Sequence, residues 1–341
     1  MVTIVDVARA AGVAPSTVSY VISGKRRIST DTRNRVEQCI RDLGYHPNAG
    51  ARALASNRTN VVALAVPLRA DLNLSVIMQF VSSVVTSARE HDLDLLLLTK
   101  DDGPAELRRV ASSAIADALI VMDVESADGR IPMLATLDRP TVLIGLPEQP
   151  DGLSCVDLDF TAAGATCVHH LADLGHRDIA LVGPSPAVYR RGTSFARRFR
   201  HGYDCAAVQR RIHTTAHPCG HSYDSAMACL DQVFAENPHV TGLVVHNEAV
   251  LPDILAGLHA RGLRVPDDIS VVAVCPDNMA DLGAIPLTSV AIPAPEVGDL
   301  AVRMTIRQLS GPPAPEVRLL PPRLTVRRST AVAPFAAAAP R

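Results

Sequence analysis

Three short segments at the start of the chain place apolar side chains at helical spacing. In residues 4–11 the apolar positions recur at i, i+3, i+4 and i+7, directly after Thr3, a residue type that caps helix N-termini. A second segment runs from Pro15 to about residue 22, a third from residue 29 or 30 to residue 43, and a glycine follows each segment. The tight turn between the first two predicts a helix-turn-helix unit. A small three-helix domain that binds protein, or nothing, is the plainer alternative.

The next stretch, "HPNAGARALAS", predicts a short and weak helix. Asn48 is an N-cap residue followed by about eight residues of helical character. Isolated helices shorter than about 12–15 residues are marginal in water, and a glycine within one costs about 1 kcal/mol relative to alanine. Ala51 and Ala55 offer a small-residue face to a symmetry mate, whereas Leu54 is a large apolar side chain with no core to join.

From residue 61 onward, apolar runs alternate with amphipathic helical patterns. Runs such as "NVVALAVP", "ADALIVMD" and "DIALVG" are rich in β-branched residues, and segments of 10–15 residues with helical spacing separate them. This alternation predicts βαβ units and a parallel sheet buried on both faces. The pattern occurs in two successive halves, which predicts a two-lobed α/β body.

The charge distribution distinguishes the first segment from the rest of the chain. Residues 1–60 hold nine Arg or Lys and four Asp or Glu, whereas the remaining residues of the 341-residue chain hold 24 and 31. A basic head on an acidic body indicates a polyanionic partner for the head alone. A solvated run of charges is the alternative on charge alone.

The sequence carries no pattern of secretion, membrane insertion or metal binding. Its seven cysteines are scattered and form no C-x-x-C pair, which is typical of reduced thiols in a cytoplasm. The first residues are charged where a signal peptide is apolar, and no apolar run reaches 18 residues. His217, Cys219 and His221 lie in a predicted surface loop, so no metal site is predicted. "GPSPA" at 183–187 lacks the second glycine of a nucleophile elbow, so no hydrolase is predicted.

The stretches "TIVDVARAAGVAPSTVSYVISG" and "ISTDTRNRVEQCIRDLGYHPNAGARAL", with the body that follows, resemble the lactose-repressor (LacI/GalR) family of bacterial transcription regulators. The resemblance covers essentially residues 2–330. Its most specific part is the pattern D-V-A-x-x-A-G-V-x-x-x-T-V-S, which runs from Asp6 to Ser19. It implies a cytoplasmic, homodimeric repressor that is not an enzyme, binds a pseudo-palindromic operator in double-stranded DNA and responds to a small molecule. No cofactor and no membrane partner are expected.

The resemblance also implies the architecture. We expect an all-α helix-turn-helix head and a hinge helix, joined to a two-lobed α/β body similar to periplasmic binding proteins. The chain is expected to cross between the lobes near residues 158–160, 287–292 and 320–322. The expected divisions are the head at 1–46, hinge helix and linker at 47–60, N-terminal lobe at 61–158 and 289–320, C-terminal lobe at 159–288 and 321–330, and a disordered Ala/Pro-rich tail at 331–341.

For the head, the resemblance implies three kinds of DNA contact: base edges in the major groove, phosphates, and the minor groove at the hinge. Tyr20 stands where relatives often have Arg or His, so the operator sequence does not transfer. Leu54 would be the wedge between base pairs. The expected DNA-binding residues are Thr3, Pro15, Ser16, Thr17, Ser19, Tyr20, Lys25, Arg26, Arg27, Thr32, Asn48, Ala51, Arg52 and Leu54.

For the body, the resemblance implies an effector cleft between the lobes, and ligands of open α/β sheets bind beyond the carboxyl ends of the strands. The expected effector-binding residues are Leu74, Phe160, Arg191, Arg198, Asn247, Cys275 and Asp277. Relatives have an effector-binding arginine three residues before a Gly-aromatic pair, which is Gly202-Tyr203 in this chain. Phe199 occupies that position here, so the arginine contact to the effector either moves to Arg198 or is lost. Cys275 replaces an expected aspartate.

The effector class follows only from the family. A sugar or related metabolite is the family's usual ligand, and a different metabolite or no effector is the alternative. With no Trp, five Tyr and six Phe, the chain offers little surface for stacking a sugar ring. A periplasmic transport receptor would need an export signal and has no use for a basic head. A sugar-processing enzyme would need a catalytic constellation that the sequence does not show.

Overall fold

The computed structural model describes residues 2–23, 26–45, 58–69, 71–100, 103–113, 115–281, 283–311 and 314–334. They form two compact units that divide between Thr59 and Asn60. The described part of the first unit contains three helices, α1 (Ile4–Ala11), α2 (Pro15–Ser23) and α3 (Thr30–Leu43). None of the helices in the described part of the chain has the length and apolar character needed to span a bilayer.

The ends of the first and third helices are where the sequence predicts them. Thr3 and Asp6 form a capping box at the start of α1, in which the Thr3 amide donates to the Asp6 carboxylate at 3.0 Å. Ser29 caps α3 by accepting from the amide of Thr32 at 3.4 Å. Gly12 ends α1 with φ of 63° and Gly44 ends α3 with φ of 60°, left-handed values that glycine adopts without strain.

The core of this unit is small and consists largely of valine and alanine. Val7, Val18 and Val36 are fully buried, one from each helix. Leu43, the last residue of α3, lies outside this core and is 37% exposed. Tyr45 folds back after the helix end, where its amide donates to Ile40 O at 3.0 Å, and its ring packs on the core instead.

The second unit has two lobes, each built on a six-stranded sheet, and the first lobe is wholly parallel. The first-lobe strands are β1 (Val61–Ala65), β2 (Asp94–Leu98), β3 (Ala118–Val121), β4 (Thr141–Ile144), β5 (Ser154–Leu158) and β11 (Val317–Leu320). Their spatial order is β11-β5-β4-β3-β1-β2. The helices packed on this sheet are α4 (Leu74–Glu90), α5 (Pro104–Ser112), α6 (Ile131–Leu134) and α13 (Ala294–Ser310).

The second lobe repeats this order. Its strands are β6 (Asp178–Gly183), β7 (His213–Pro218), β8 (Gly242–Val245), β9 (Ser270–Cys275), β10 (Thr288–Ala291) and β12 (Leu324–Thr325), and they lie in the order β12-β10-β9-β8-β6-β7. Only β12 runs antiparallel to its neighbour. The helices are α7 (Phe160–Asp173), α8 (Pro186–Arg191), α9 (Ser194–Arg210), α10 (Tyr223–Glu236), α11 (Leu251–Ala260) and α12 (Asp277–Ala280), with a 3₁₀ turn at Glu248–Val250.

The apolar pattern predicts the central strands and misses an edge strand. Leu119 of β3 and Leu143 of β4 have no exposed surface, as expected for strands covered on both faces. The sequence "HTTAHP" of β7 carries no apolar run, because β7 pairs only with β6 at the sheet edge. The segment around His217 was therefore wrongly expected to be a surface loop. His217 is a strand residue that is 4% exposed.

Two expected boundaries are corrected. Residues 289–291 belong to the C-terminal lobe, because β10 pairs with β9 in the second sheet, and the N-terminal lobe resumes only at α13. The disordered tail was expected from residue 331, but Ala331 donates to Ser270 Oγ at 3.0 Å and Ala333 donates to Leu174 O at 2.8 Å. Residues 335–341 lie outside the described residues.

Candidate functional sites

The exposed face of α2 carries the side chains expected to read bases. Val18 and Val21 of α2 are buried in the core. Pro15 and Ser16 are exposed, and Tyr20 is half-buried one turn after Ser16. The Arg26 guanidinium lies 5.7 Å from the centre of the Tyr20 ring, within range of a cation–π contact. Tyr20 and Arg26 therefore present one joint surface.

The residues expected to contact phosphates differ in exposure and in their hydrogen bonds. The Thr3 hydroxyl donates to the Asp6 carboxylate at 2.7 Å, and the Thr32 hydroxyl accepts from Ser29 Oγ at 2.9 Å, so both threonines also serve their helix ends. Arg27 is exposed. Two further expected residues of this set, Thr17 and Ser19, are half-buried. Lys25, Asn48, Ala51, Arg52 and Leu54 lie outside the described residues.

In the second unit, a cavity of about 160 Å³ lies between the two lobes. Val66 follows β1, Asp123 follows β3, and Pro184 follows β6, and all three border the cavity. His246 and Asn247 border it directly after β8. The cavity therefore lies beyond the carboxyl ends of strands of both sheets, where the sequence predicts a ligand.

Aromatic side chains are concentrated at this cavity. Phe80, Phe160 and Phe195 line it, and Phe199 lies behind them with its ring centre 4.1 Å from that of His246. The rings of Phe160 and Phe195 are 5.5 Å apart. Four of the six phenylalanines of the chain thus gather at one place. The expectation that the chain offers little stacking surface is wrong, because a low overall aromatic content does not limit a local cluster.

His246 is the polar member of this aromatic cluster. It is 2% exposed and lies between Phe160, Phe195 and Phe199. Burial lowers its pKa to about 3, so the imidazole is neutral. Its Nδ1 has no hydrogen-bond partner among the described residues. The cavity wall therefore includes a neutral polar ring.

Three of the carboxylates that line the cavity are paired with arginines. Asp71 pairs with Arg191, and Asp123 pairs with Arg69 and lies 3.9 Å from Arg191. The remaining member of this set, Asp157, accepts from Arg198 Nη1 at 2.7 Å, while Nη2 of the same arginine donates to the Leu158 carbonyl at 2.9 Å. Burial raises the pKa of Asp157 to about 6, and the guanidinium opposes that rise.

Asn247 and Glu248 add further acceptors. The Asn247 amide nitrogen donates to the carbonyls of Cys219 at 2.8 Å and Gly183 at 3.4 Å, which fixes the amide orientation and leaves Oδ1 as its acceptor for a ligand. Glu248 also borders the cavity, and burial raises the pKa of its carboxyl group. His221 borders the cavity from the loop after β7.

Four of the seven expected effector residues either line the cavity or bind a carboxylate that lines it. Phe160 and Asn247 line the cavity, and Arg191 and Arg198 hold carboxylates that line it.

The other three are not on its wall. Leu74 is 55% exposed at the start of α4, where its neighbour Asn73 borders the cavity instead. Cys275 is fully buried inside the sheet, and burial raises the pKa of its thiol to about 12. Asp277 pairs with Arg327 at 3.5 Å.

Sequence reasoning missed the lining residues Phe80, Phe195, His221 and His246. Of these, only His246 has a local signal, because it directly follows the apolar run of β8. Among the described residues, no three His, Cys, Asp or Glu side chains lie close enough to hold a metal ion.

Comparison with known proteins agrees with this two-part arrangement. Residues 3–48 match the family model of bacterial regulatory proteins, lacI family, and residues 168–330 match that of the periplasmic binding protein-like domain. The head of the chain is therefore a lacI-family DNA-binding domain. The chain is accordingly a DNA-binding transcriptional regulator.

Relatives match over nearly the whole length of the chain. It is 25% identical to the catabolite control protein A of Priestia megaterium, over 91% of this chain and 93% of the relative. It is 29% identical to the transcriptional regulator CelR of Thermobifida fusca, over 91% and 92%.

Solved structures show the same fold. The lac repressor dimer bound to operator and the anti-inducer ONPF superposes with a TM-score of 0.84 at 24% identity, covering 97% of this chain and 99% of the repressor chain. A complex of the regulator CelR with cellobiose has a TM-score of 0.68 at 27% identity, covering 96% and 100%.

Proposed function

We propose that the chain is a cytoplasmic, homodimeric repressor whose affinity for a pseudo-palindromic operator is set by a small molecule bound between the two lobes. The observation that carries this proposal is the presence, in one chain, of a helix-turn-helix head with an exposed polar face and a body whose cavity is lined by both lobes. A twofold dimer would match the symmetry of the operator.

On the DNA side, α2 is the recognition helix. Ser16 and Tyr20 face base edges, and Arg26 holds the Tyr20 ring while its charge faces the phosphates. Pro15 and Ala14 donate no side-chain hydrogen bonds, so Ser16 and Tyr20 carry most of the major-groove reading. The other expected DNA-binding residues remain part of the proposal.

On the effector side, the ligand occupies the interlobe cavity. Phe160 and Phe195 supply apolar surface, and Asn247 Oδ1 and the carboxylates of Asp71 and Asp123 accept hydrogen bonds from the ligand. Donor-rich compounds such as sugars suit this surface, and the relative CelR is known in complex with cellobiose.

Effector and DNA affect each other through a population shift. A ligand held by both lobes favours the lobe arrangement that it fits best and depopulates others. Because binding couplings are reciprocal, operator binding must change effector affinity by the same factor.

The experiment is a salt titration of DNA binding by the full chain. Operator duplexes are first isolated by selecting genomic fragments that the protein retains. The affinity should then fall with a log–log slope of several units, because each neutralised phosphate contributes about 0.9 to the slope.

Replacing Arg26 and Arg27 together with Gln should make the slope shallower by about 2. The control is Arg264→Gln, at an exposed arginine of the body, and it should leave the slope unchanged. A slope near zero for the unmodified chain would contradict binding by the basic head.

A further inference from the structure

The charges around the interlobe cavity do not cancel. Asp71, Asp123, Asp157 and Glu248 border it, and no lysine or arginine of the described chain does. Negatively charged acceptor groups therefore face the ligand. Any arginine or lysine that balances their charge must lie outside the cavity lining.

Three arginines just outside the cavity lining, Arg69, Arg191 and Arg198, are already paired with lining carboxylates. Arg191 is paired with Asp71 and Arg69 with Asp123. Arg198 uses both of its terminal nitrogens, on Asp157 and on the Leu158 carbonyl. The remaining Nε and Nη2 atoms of Arg191 have almost no accessible surface, so they do not meet a ligand. Each of the three guanidinium groups therefore already balances one lining carboxylate.

Glu248 is the lining carboxylate with no cationic partner. It opens the 3₁₀ turn after β8, and its carboxylate forms no ion pair with any described residue, although its own backbone amide donates to it. Burial raises its pKa, as expected for a carboxylate that has lost water without gaining a counter-charge. A ligand cation would supply that counter-charge.

The aromatic wall favours the same kind of group. Phe80, Phe160 and Phe195 line the cavity together with Glu248. The negative faces of such rings attract an ammonium group and repel an anion. His246 adds no positive charge, because its imidazole is neutral.

We propose that the effector is a small compound carrying a positively charged amino group, that Glu248 binds this ammonium group, and that the cavity rejects phosphorylated and carboxylated ligands. This inference rests on the proposed function, because it takes the interlobe cavity as the effector site. It assigns Glu248 as the residue that determines specificity for charge.

The test compares three compounds that share a six-membered ring and differ in charge: cyclohexylamine, cyclohexanol and cyclohexanecarboxylate. Affinities for the full chain are measured at pH 7.5 by ligand-observed NMR titration. Cyclohexylamine should bind at least ten times more tightly than cyclohexanol, and cyclohexanecarboxylate should not bind. Glu248→Gln should remove the advantage of the amine while cyclohexanol binding is retained.

The control variant is Asp277→Asn, which also removes one negative charge but lies off the cavity wall, and it should keep the ranking. Equal or tighter binding of the alcohol or the carboxylate would overturn the assignment of charge and leave the cavity as a ligand site. Binding of none of the three would overturn the effector role of the cavity itself, while the salt titration of DNA binding would stand. If Glu248→Gln does not fold, the order of the three affinities for the unmodified chain still tests the proposal.

Discussion

At the scale of single residues, His246 shows how an environment decides protonation. Its ring lies 4.1 Å from the centre of Phe199 and within 5.7 Å of Phe160 and Phe195, with no carboxylate bonded to it. Burial among apolar rings disfavours the imidazolium, which lowers its pKa from 6.5 to about 3. The folded state therefore binds fewer protons than the unfolded state between these two pH values.

This residue makes stability depend on pH with a definite sign. Since the pKa of His246 is lower in the folded state than in the unfolded state, the stability that its neutral ring contributes is fully present above about pH 6.5 and is lost as pH falls toward 3. The loss amounts to about 2 kcal/mol by pH 5. The free energy of unfolding should fall between pH 7 and pH 5 in both proteins. In His246→Phe, which keeps an aromatic ring, we expect this fall to be about 2 kcal/mol smaller than in the unmodified chain. Urea denaturation at both pH values measures this difference. Parallel losses in the two proteins would show that His246 is protonated in the folded state.

At the scale of elements, two glycines set the distance between α7 and α9. A β-carbon on Gly202 would collide with the backbone of Thr161, and one on Gly164 would collide with the backbone of Phe199. The two helices therefore approach more closely than larger side chains would allow. This approach holds the N-terminal part of α9, with its cavity residue Phe195, against Phe160 at the start of α7.

Gly202→Ala should destabilise the protein strongly, because rigid backbone and not a flexible side chain blocks the added methyl group. We expect a loss of about 3 kcal/mol in the free energy of unfolding, at the upper end for overpacked sites. Gly129→Ala is the control, because nothing lies within 4 Å of the position that its added methyl group would take. Urea unfolding curves measure both variants, and equal stability of the two would contradict close helix packing at Gly202.

The same elements show what the sequence can and cannot predict. Periodicity predicts α3, α4 and the central strands, because one buried face or two buried faces impose a regular apolar spacing. Phe160 and Asn247 are predictable as cavity residues, because both follow the carboxyl end of a parallel strand. Phe80 is not, because an apolar residue within α4 has the same pattern as any core residue of a helix. His221 is not, because it follows β7, a strand that the apolar pattern misses. The edge strand β7 is missed because half of its environment is solvent.

At the scale of the whole molecule, the body is two lobes joined at more than the chain crossings. The Ser126 amide donates to Gly192 O at 2.8 Å, and the Ser194 amide donates to Val124 O at 2.9 Å, each from one lobe to the other. Arg191 of the C-terminal lobe pairs with Asp71 of the N-terminal lobe beside these bonds. Closure of the cavity therefore depends on a small set of contacts at one place, including a charge pair.

Arg191→Met should loosen this closure while leaving each lobe folded. The substitution keeps much of the side-chain volume but leaves Asp71 without its cation and removes the charge near Asp123, and unpairing partly buried carboxylates is unfavourable. We expect amide hydrogen exchange at Ser126 and Ser194 to become about tenfold faster through more frequent local opening, with exchange in β3 and β9 unchanged. Arg264→Met, which breaks an exposed ion pair with Asp268, should leave both amides unaffected, since such pairs contribute little. Unchanged exchange at Ser126 and Ser194 in Arg191→Met would mean that the Arg191–Asp71 pair does not hold the lobes together.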